Sequence, residues 1–584
     1  MALKYDFTHV PDRRGCGSSK WNGMPDASPE RVPLSTADME FYPAPEIAEA
    51  LKNLVDTTVL GYTSPTDDYY AAVCGWMKRR HSFDVEPAQI LLTPGVVTAL
   101  GLLVATVTEP GDNVIVMPPV YYPFDLAVLA KGRNIVYCPL LLKGDRYEID
   151  FEKLAELAKE KKNSALLLCN PHNPVGRVWS PEELSRLVDI CADNGVFIID
   201  DEIHHDLIMP GYKHTVLTNA NPRARDICAI CTAPSKTFNL AGLQCSNIII
   251  PNDQVRGKAS MINLVSSMSF HLNIFAYTAC KTAYNCCEDW LEELIGVVHR
   301  NAEYIRDFCA KHFPGVKVYP LEGTYLLWAD FSALGMTHYE LEEFMKSAGL
   351  YLDEGYIFGE GGRGFERFNL ACAPITIERT MQRLLEAWEV LQAKWAVEGK
   401  PYHKTLAAGD LLEGFVYDTA AEAGIALDRH IEKPTILVFS RYYTCGICQA
   451  MMGELRQAMP ELQKLGIDLK VVLQSTRESI ADAAPDFPFD LICDPEAKLY
   501  DRYNVFQADS MPAMIAGDPI LEKIPGGVMG LLGSAFGGGK TEGRQRQLPA
   551  VVAVTPDMTV RYAYYGKTLS DMPDLQAAIG ALLG

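Results

Sequence analysis

Long hydrophobic runs are missing from this chain. Its most apolar segments, such as Ser164–Cys169 and Val196–Ile199, are a few residues long, whereas a membrane-spanning helix needs about 20. No transmembrane helix is therefore expected. Positive charge is also scarce: 53 Lys and Arg face 74 Asp and Glu, a formal net charge of −21. A field of that sign repels phosphate backbones and anionic lipid, so neither nucleic acid nor a membrane is expected as a partner. The opening Met1–Val10 lacks the apolar core of a secretory leader. Low-complexity sequence is confined to the Gly-rich stretch 526–539. Hydrophobic residues at 48% and charged residues at 22% are ordinary globular values, which excludes wholesale disorder. The 16 cysteines lie mostly in apolar stretches, where thiols behave as small hydrophobes. A chain of 584 residues buries enough surface to need no disulfide scaffold. The expectation is a reduced, cytoplasmic protein.

From Pro45 to about Ala393 helical and strand-like segments alternate. Pro45–Leu54 and Tyr69–Arg80 carry apolar residues at helical spacing. Val114–Met117, Ala165–Cys169 and Val196–Asp200 are short apolar runs bounded by Gly, Pro or Asn, as in the buried strands of a parallel sheet. Pro181–Asn194 follows Ser180, a helix cap, and completes a β-α unit. The pattern predicts a layered α/β fold. A last helix, Ile377–Glu398, runs into Gly399-Lys400-Pro401, and the composition resets. We place the boundary near 400, with one domain over 1–400 and a second over 401–584. The second series reads strand Thr435–Phe439, helix Gln449–Leu465, strand Leu469–Leu473, helix Pro495–Tyr503, and strands Ala550–Val554 and Thr559–Tyr565.

Three motifs follow strands in the first domain: Asn170-Pro-His-Asn-Pro-Val-Gly-Arg177, Asp200-Asp-Glu-Ile-His204 and Ser235-Lys-Thr-Phe-Asn-Leu-Ala-Gly-Leu243. Open α/β sheets bind ligands at such strand ends. The residues suit pyridoxal phosphate. That cofactor needs a lysine for its aldehyde, a carboxylate for its pyridine nitrogen, a donor at its hydroxyl and a phosphate cradle. Lys236, Asp201 and Asn173 supply the first three, and Thr93-Pro-Gly-Val-Val-Thr98, at the start of a helix, the fourth.

With Ser19-Lys-Trp-Asn22, Thr36-Ala-Asp-Met-Glu-Phe41, Gly61-Tyr62, Pro119-Val-Tyr121 and Arg367-Phe-Asn369, residues from about 10 to 395 resemble fold-type I, class I/II aminotransferases. The resemblance is specifically to their cystathionine β-lyase (MalY/PatB-type) branch. It implies that Lys236 is the cofactor-bearing lysine and proton shuttle and that Asp201 pairs with the pyridine nitrogen. It puts Asn173 and His204 near the ring hydroxyl, stacks Tyr121 on the ring, and lets the Val96 and Val97 amides hold the phosphate. Tyr62 would reach the phosphate of a partner subunit, implying a homodimer, and Arg367 would clamp a substrate α-carboxylate. Eight residues after the lysine, transaminases carry an arginine; here Gln244 stands there, which favours elimination over transamination. Also, Tyr122 and Asn22 replace a common Pro and Asp of the branch. The expected reaction is β-elimination on a small sulfur amino acid, such as cystathionine or a cysteine S-conjugate, to thiol, pyruvate and ammonia. An aminotransferase, or a cofactor-bearing regulatory protein whose second domain mediates association, is the alternative.

In the second domain Cys445-Gly-Ile-Cys448 follows strand Thr435–Phe439 and opens a helix. The first thiol thus sits at a helix N-terminus, where dipole and free amides favour thiolate, and Arg441 adds to this. The second is placed to resolve a mixed disulfide. No further metal ligands flank the pair, and no metal site is assigned anywhere. With Ile492-Cys-Asp-Pro-Glu-Ala-Lys-Leu-Tyr500 and Leu548-Pro549, this domain resembles the thioredoxin-fold AhpC/TSA (peroxiredoxin-like) family. The resemblance puts a cis-proline at Pro549 and implies a thiol/disulfide redox partner. The peroxidase word Pro-x-x-x-Thr-x-x-Cys is not met, because Val438 and Tyr442 occupy its first two positions; dithiol–disulfide exchange is the expected chemistry. Cys493 reads as a buried strand residue. Ser534–Thr541 imitates a phosphate-binding loop but lacks its leading Gly, so it reads as a plain loop.

Overall fold

The computed structural model describes residues 4–584 except 23, 25–30, 268–270, 402, 509–513, 515–541 and 573–574. The imitation loop Ser534–Thr541 and the whole of the Gly-rich stretch lie outside the described residues. The chain divides into two compact units, Met1–Ala393 and Lys394–Gly584.

The first unit is built on seven strands: β1 (Ile90–Thr93), β2 (Asn113–Val116), β3 (Asn134–Tyr137), β4 (Asn163–Cys169), β5 (Phe197–Asp201), β6 (Cys228–Thr232) and β7 (Ser246–Ile249). Their order is β1-β7-β6-β5-β4-β2-β3. Neighbours from β3 to β6 pair in parallel, while β7 runs antiparallel to both β6 and β1. Every residue of β5 and β6 is buried: the apolar residues fill the sheet's core, and β5 carries Asp200 and Asp201 at its C-terminal end. Helix α1 (Val96–Val107) is apolar on nearly all faces and packs into the core with β2, β4 and β5. Helix α2 (Pro181–Asn194) begins at a capping box: Glu183 N donates to Ser180 Oγ at 3.2 Å and Ser180 N to Glu183 Oε2 at 2.8 Å. It ends at Gly195, whose φ of 74° is the left-handed stop that glycine supplies.

A second, antiparallel sheet in this unit joins Lys317–Val318, Leu326–Asp330, Phe365–Asn369 and Asp353–Glu354. Its register sets Asp353 directly across from Arg367, an opposite-charge pair of the kind that stabilises neighbouring strands.

The second unit has five strands: β8 (Thr435–Phe439), β9 (Asp468–Leu473), β10 (Asp490–Cys493), β11 (Ala550–Val554) and β12 (Val560–Tyr565), ordered β10-β9-β8-β11-β12. The first three in that order, β10, β9 and β8, pair in parallel, while β11 pairs antiparallel with β8 and β12 antiparallel with β11. Gly446–Leu465 forms the helix that follows β8, and apolar clusters on both faces fill the core. Cys493 is half-buried at the end of β10 rather than fully buried. Among the described residues the cis peptides precede Pro119, Pro171 and Pro174. The Leu548–Pro549 bond is not one of them, contrary to the expectation from the resemblance. No helix among the described residues is long and apolar enough to cross a membrane.

Candidate active site and dithiol

The C-terminal ends of β4, β5 and β6 and the start of α1 surround a cavity of about 220 Å³. It is lined by Val96, Val97, Tyr121, Asn173, Asp201, His204 and Lys236, with Gln244, Cys245 and Ala37. The connections leaving the parallel strands emerge on the same edge, which is how residues from 96 to 245 share one space.

Lys236 lies on a single helical turn, Pro234–Thr237, just past β6. Its Nζ donates to the Ala37 carbonyl at 2.6 Å. Burial, with the Arg367 charge behind it, brings its ammonium down to about 8. Asp201 closes β5 and is buried, and its Oδ1 accepts from Ile203 N at 3.1 Å. Burial pushes this carboxyl up to about 7. His204 is buried against Tyr325, ring centroids 5.8 Å apart, and its Nδ1 has no hydrogen-bond partner. Burial first, then the Lys236 charge, holds its imidazole in the neutral form. Gly95 precedes α1, and Gly95, Val96 and Val97 at its start line the cavity. A helix start offers free N–H groups and a positive dipole end to an anion.

Arg367 stands beside the cavity, buried on the Phe365–Asn369 strand. Its Nη1 donates to Asn173 Oδ1 at 2.8 Å, its Nη2 pairs with Asp353, and its plane lies 4.8 Å from the Phe358 ring centre. Its Nε is buried without a partner. Tyr62 is not brought to the cavity of its own chain; it is fully exposed.

Three further residues shape the site, and the sequence assigned none of them a role. Tyr325 donates to the Ala37 carbonyl at 2.7 Å, the acceptor that Lys236 also uses. Asn239, at φ 57°, donates to the Met39 and Phe41 carbonyls and accepts from Met39 N at 3.0 Å. Asn369 Nδ2 donates to the Thr36 and Asp38 carbonyls at 2.9 and 2.7 Å. These two asparagines fasten the Thr36–Phe41 segment to the lysine turn and to the second sheet. The only local signal is that each asparagine lies two or three residues beyond a site residue.

In the second unit Cys445 caps the helix Gly446–Leu465 and accepts from Cys448 N at 3.4 Å. The two sulfurs are 2.8 Å apart, the Cys448 thiol donating. That hydrogen bond, the Arg441 charge and the helix amides bring Cys445 down to about 6, and the same arrangement pushes Cys448 up. Both sulfurs lie in a small cluster with Tyr442 and Ile447. The site can therefore hold one thiolate with a protonated thiol against it.

The first unit thus has the fold of type I pyridoxal-phosphate-dependent transferases, and the second is a thioredoxin-like α/β unit. Residues 29–386 match the aminotransferase class I and II family, and the chain belongs to it. Residues 409–563 match the AhpC/TSA family. The chain is 42% identical over 389 residues to the cystathionine beta-lyase PatB of Bacillus subtilis (strain 168), covering 65% of this chain and 99% of that protein. It is 30% identical over 388 residues to protein MalY of Escherichia coli (strain K12), covering 66% and 98%. Among solved structures it is similar to cystalysin from Treponema denticola, which contains a pyridoxal 5'-phosphate cofactor. The TM-score is 0.65 at 46% identity, over 67% of this chain and all of that one.

Proposed function

We propose that the first unit is a pyridoxal-phosphate-dependent carbon–sulfur β-lyase acting on cystathionine or cysteine S-conjugates. One observation carries the reading: a single cavity gathers a buried carboxylate, an amine of lowered pKa and a helix N-terminus. The unpartnered His204 Nδ1 on its wall is what a buried site awaiting a polar ligand leaves open. The cofactor fits these residues: the Val96 and Val97 amides for phosphate, Asp201 for the ring nitrogen, Asn173 and His204 for the ring hydroxyl, Tyr121 for the ring face.

When bound, pyridoxal phosphate supplies an aldehyde for amines and a ring that draws electrons from the carbon they carry. The chain's residues do the rest. Lys236 provides the primary amine, and with its pKa near 8 about a tenth of it is uncharged at pH 7, able to take a proton from the substrate Cα. Arg367 grips the α-carboxylate with donors not committed to Asn173 and Asp353, fixing which Cα–H bond faces Lys236. Gln244, on the cavity wall, leaves the phosphate end without the transaminase arginine.

The second unit is assigned dithiol–disulfide exchange, with Cys445 attacking and Cys448 resolving. Tyr62, exposed on its own chain, is assigned to the site of a second copy in a homodimer. The deciding experiment is incubation of the purified, cofactor-loaded protein with cystathionine in the absence of any keto acid. Release of pyruvate with a matching amount of thiol is expected. Amino-group transfer that depends on a keto acid would instead favour the aminotransferase, which shares this scaffold.

A further inference from the structure

Asp206 lies five residues beyond Asp201 on the same connection and is buried. Its carboxylate is a hub. Thr237 Oγ1 donates to its Oδ2 at 2.8 Å, and Trp76 Nε1 donates to its Oδ1 at 3.1 Å. His81 Nε2 is 2.7 Å from Oδ1, His205 Nε2 is 3.1 Å from Oδ2, and Arg80 Nε is 3.5 Å from Oδ1. His81, His205 and Asp206 each offer a ligand atom within 4.8 Å of the others, close enough to raise the question of a cation. Two facts decide against one. Both carboxylate oxygens already accept donors, and the Arg80 guanidinium places a positive charge against the same carboxylate.

Thr237 is the residue after Lys236, in a turn of only four residues. Such a turn cannot hold its own shape, because one closing hydrogen bond does not offset the ordering of its backbone. On the cavity side the turn is tied through Lys236 Nζ to Ala37 O. On the core side its side-chain tie is the Thr237–Asp206 bond.

We propose that Asp206 is a positioning residue: through the Thr237 hydroxyl it fixes the turn that aims Lys236. The end of β5 presents Asp201 to the cofactor ring and, five residues on, the connection that leaves it orients the amine. The inference rests on the reading of Lys236 as the cofactor's amine.

The test compares Thr237→Val, which keeps the shape and loses the hydroxyl, with Thr237→Ser, which keeps the hydroxyl. Asp206→Asn is a second perturbation of the same anchor, replacing its charge-assisted hydrogen bond by a weaker neutral one. In the loaded full-length protein, Thr237→Val is expected to lower kcat about 10- to 100-fold, the scale of a misplacement near 1 Å. KM should stay within about twofold, and Thr237→Ser should restore kcat. In cofactor-free protein, acetylation of Lys236 by acetic anhydride, followed by mass spectrometry, should be faster in Thr237→Val and Asp206→Asn than in wild type or Thr237→Ser. Equal Lys236 labelling in folded wild type, Thr237→Val and Asp206→Asn would overturn the proposal. Because labelling needs no cofactor, it decides the positioning role even if the wild type fails to bind pyridoxal phosphate, a failure that would refute only the cofactor reading.

Discussion

Replacing Arg367 by lysine separates substrate recognition from cofactor binding. The guanidinium has five N–H donors; one goes to Asn173 at 2.8 Å and one to Asp353, and the buried Nε has no partner. Enough donors remain to meet both oxygens of an α-carboxylate. A lysine keeps the charge but meets a carboxylate at a point, and it gives up the planar contact with Phe358. The loss is about one charge-assisted hydrogen bond, roughly 1.5–3 kcal/mol, which corresponds to about 10- to 150-fold in KM. Pyridoxal phosphate affinity should change less, because Arg367 meets the cavity wall through its hydrogen bond to Asn173 alone. Initial rates of pyruvate release give KM, and cofactor titration of the stripped protein gives the second number. An unchanged KM for cystathionine, or an equal loss of cofactor affinity, would refute the assignment of the clamp.

Lys236→Ala should lose both turnover and the visible absorbance of the loaded protein; undiminished pyruvate release from that variant would remove the amine's assigned role. In the cofactor-free protein Asp201 has a folded pKa raised to about 7, so its burial costs stability progressively as pH rises from about 4 to 7. Asp201→Asn should therefore melt higher than wild type, with a gap absent near pH 4 and complete by about pH 7, while abolishing turnover; melting curves across that range check the sign. Cys448→Ser should trap a mixed disulfide on Cys445 with cystine, whose S–S bond the Cys445 thiolate breaks with release of cysteine thiolate, whereas Cys445→Ser should trap little. Mass spectrometry finding equal adducts on both, or none on either, would leave the second unit without an exchange role.

What could be read from the sequence was what local chemistry dictates. Ser180 and Glu183 define a capping box by their spacing alone, and the helix they open spans Pro181–Asn194 as expected. Helix Gly446–Leu465 begins three residues earlier than its periodicity suggests, because Cys445 itself is the cap. The direction of β7 was not legible. Half of its residues, Ser246 and Asn247, are polar, and pairing direction is set by the connections rather than by composition. The motif residues of the cavity could be named because each sits at a strand end. Tyr325 and Asp206 could not, and the motif words holding Asn239 and Asn369 do not reveal their roles, since their work is done on partners distant in sequence: Asn239 holds a segment 198 to 200 residues away. The peptide before Pro549 was misjudged because family resemblance carries a backbone isomer less securely than a side chain.

The fastening of Thr36–Phe41 has a consequence for how the protein is made. Asn369 reaches back 331 to 333 residues to the Thr36 and Asp38 carbonyls, and Lys236 leans on Ala37 in the same segment. During synthesis, which proceeds from the N-terminus, the sheet from β1 to β7 can assemble while this wall is held only through Lys236 and Asn239. The cavity gains its final wall only after residue 369 has left the ribosome. Tight cofactor retention is then a property of the finished first unit, so a growing chain stopped shortly before Asn369 would expose Lys236 without holding what it is there to hold.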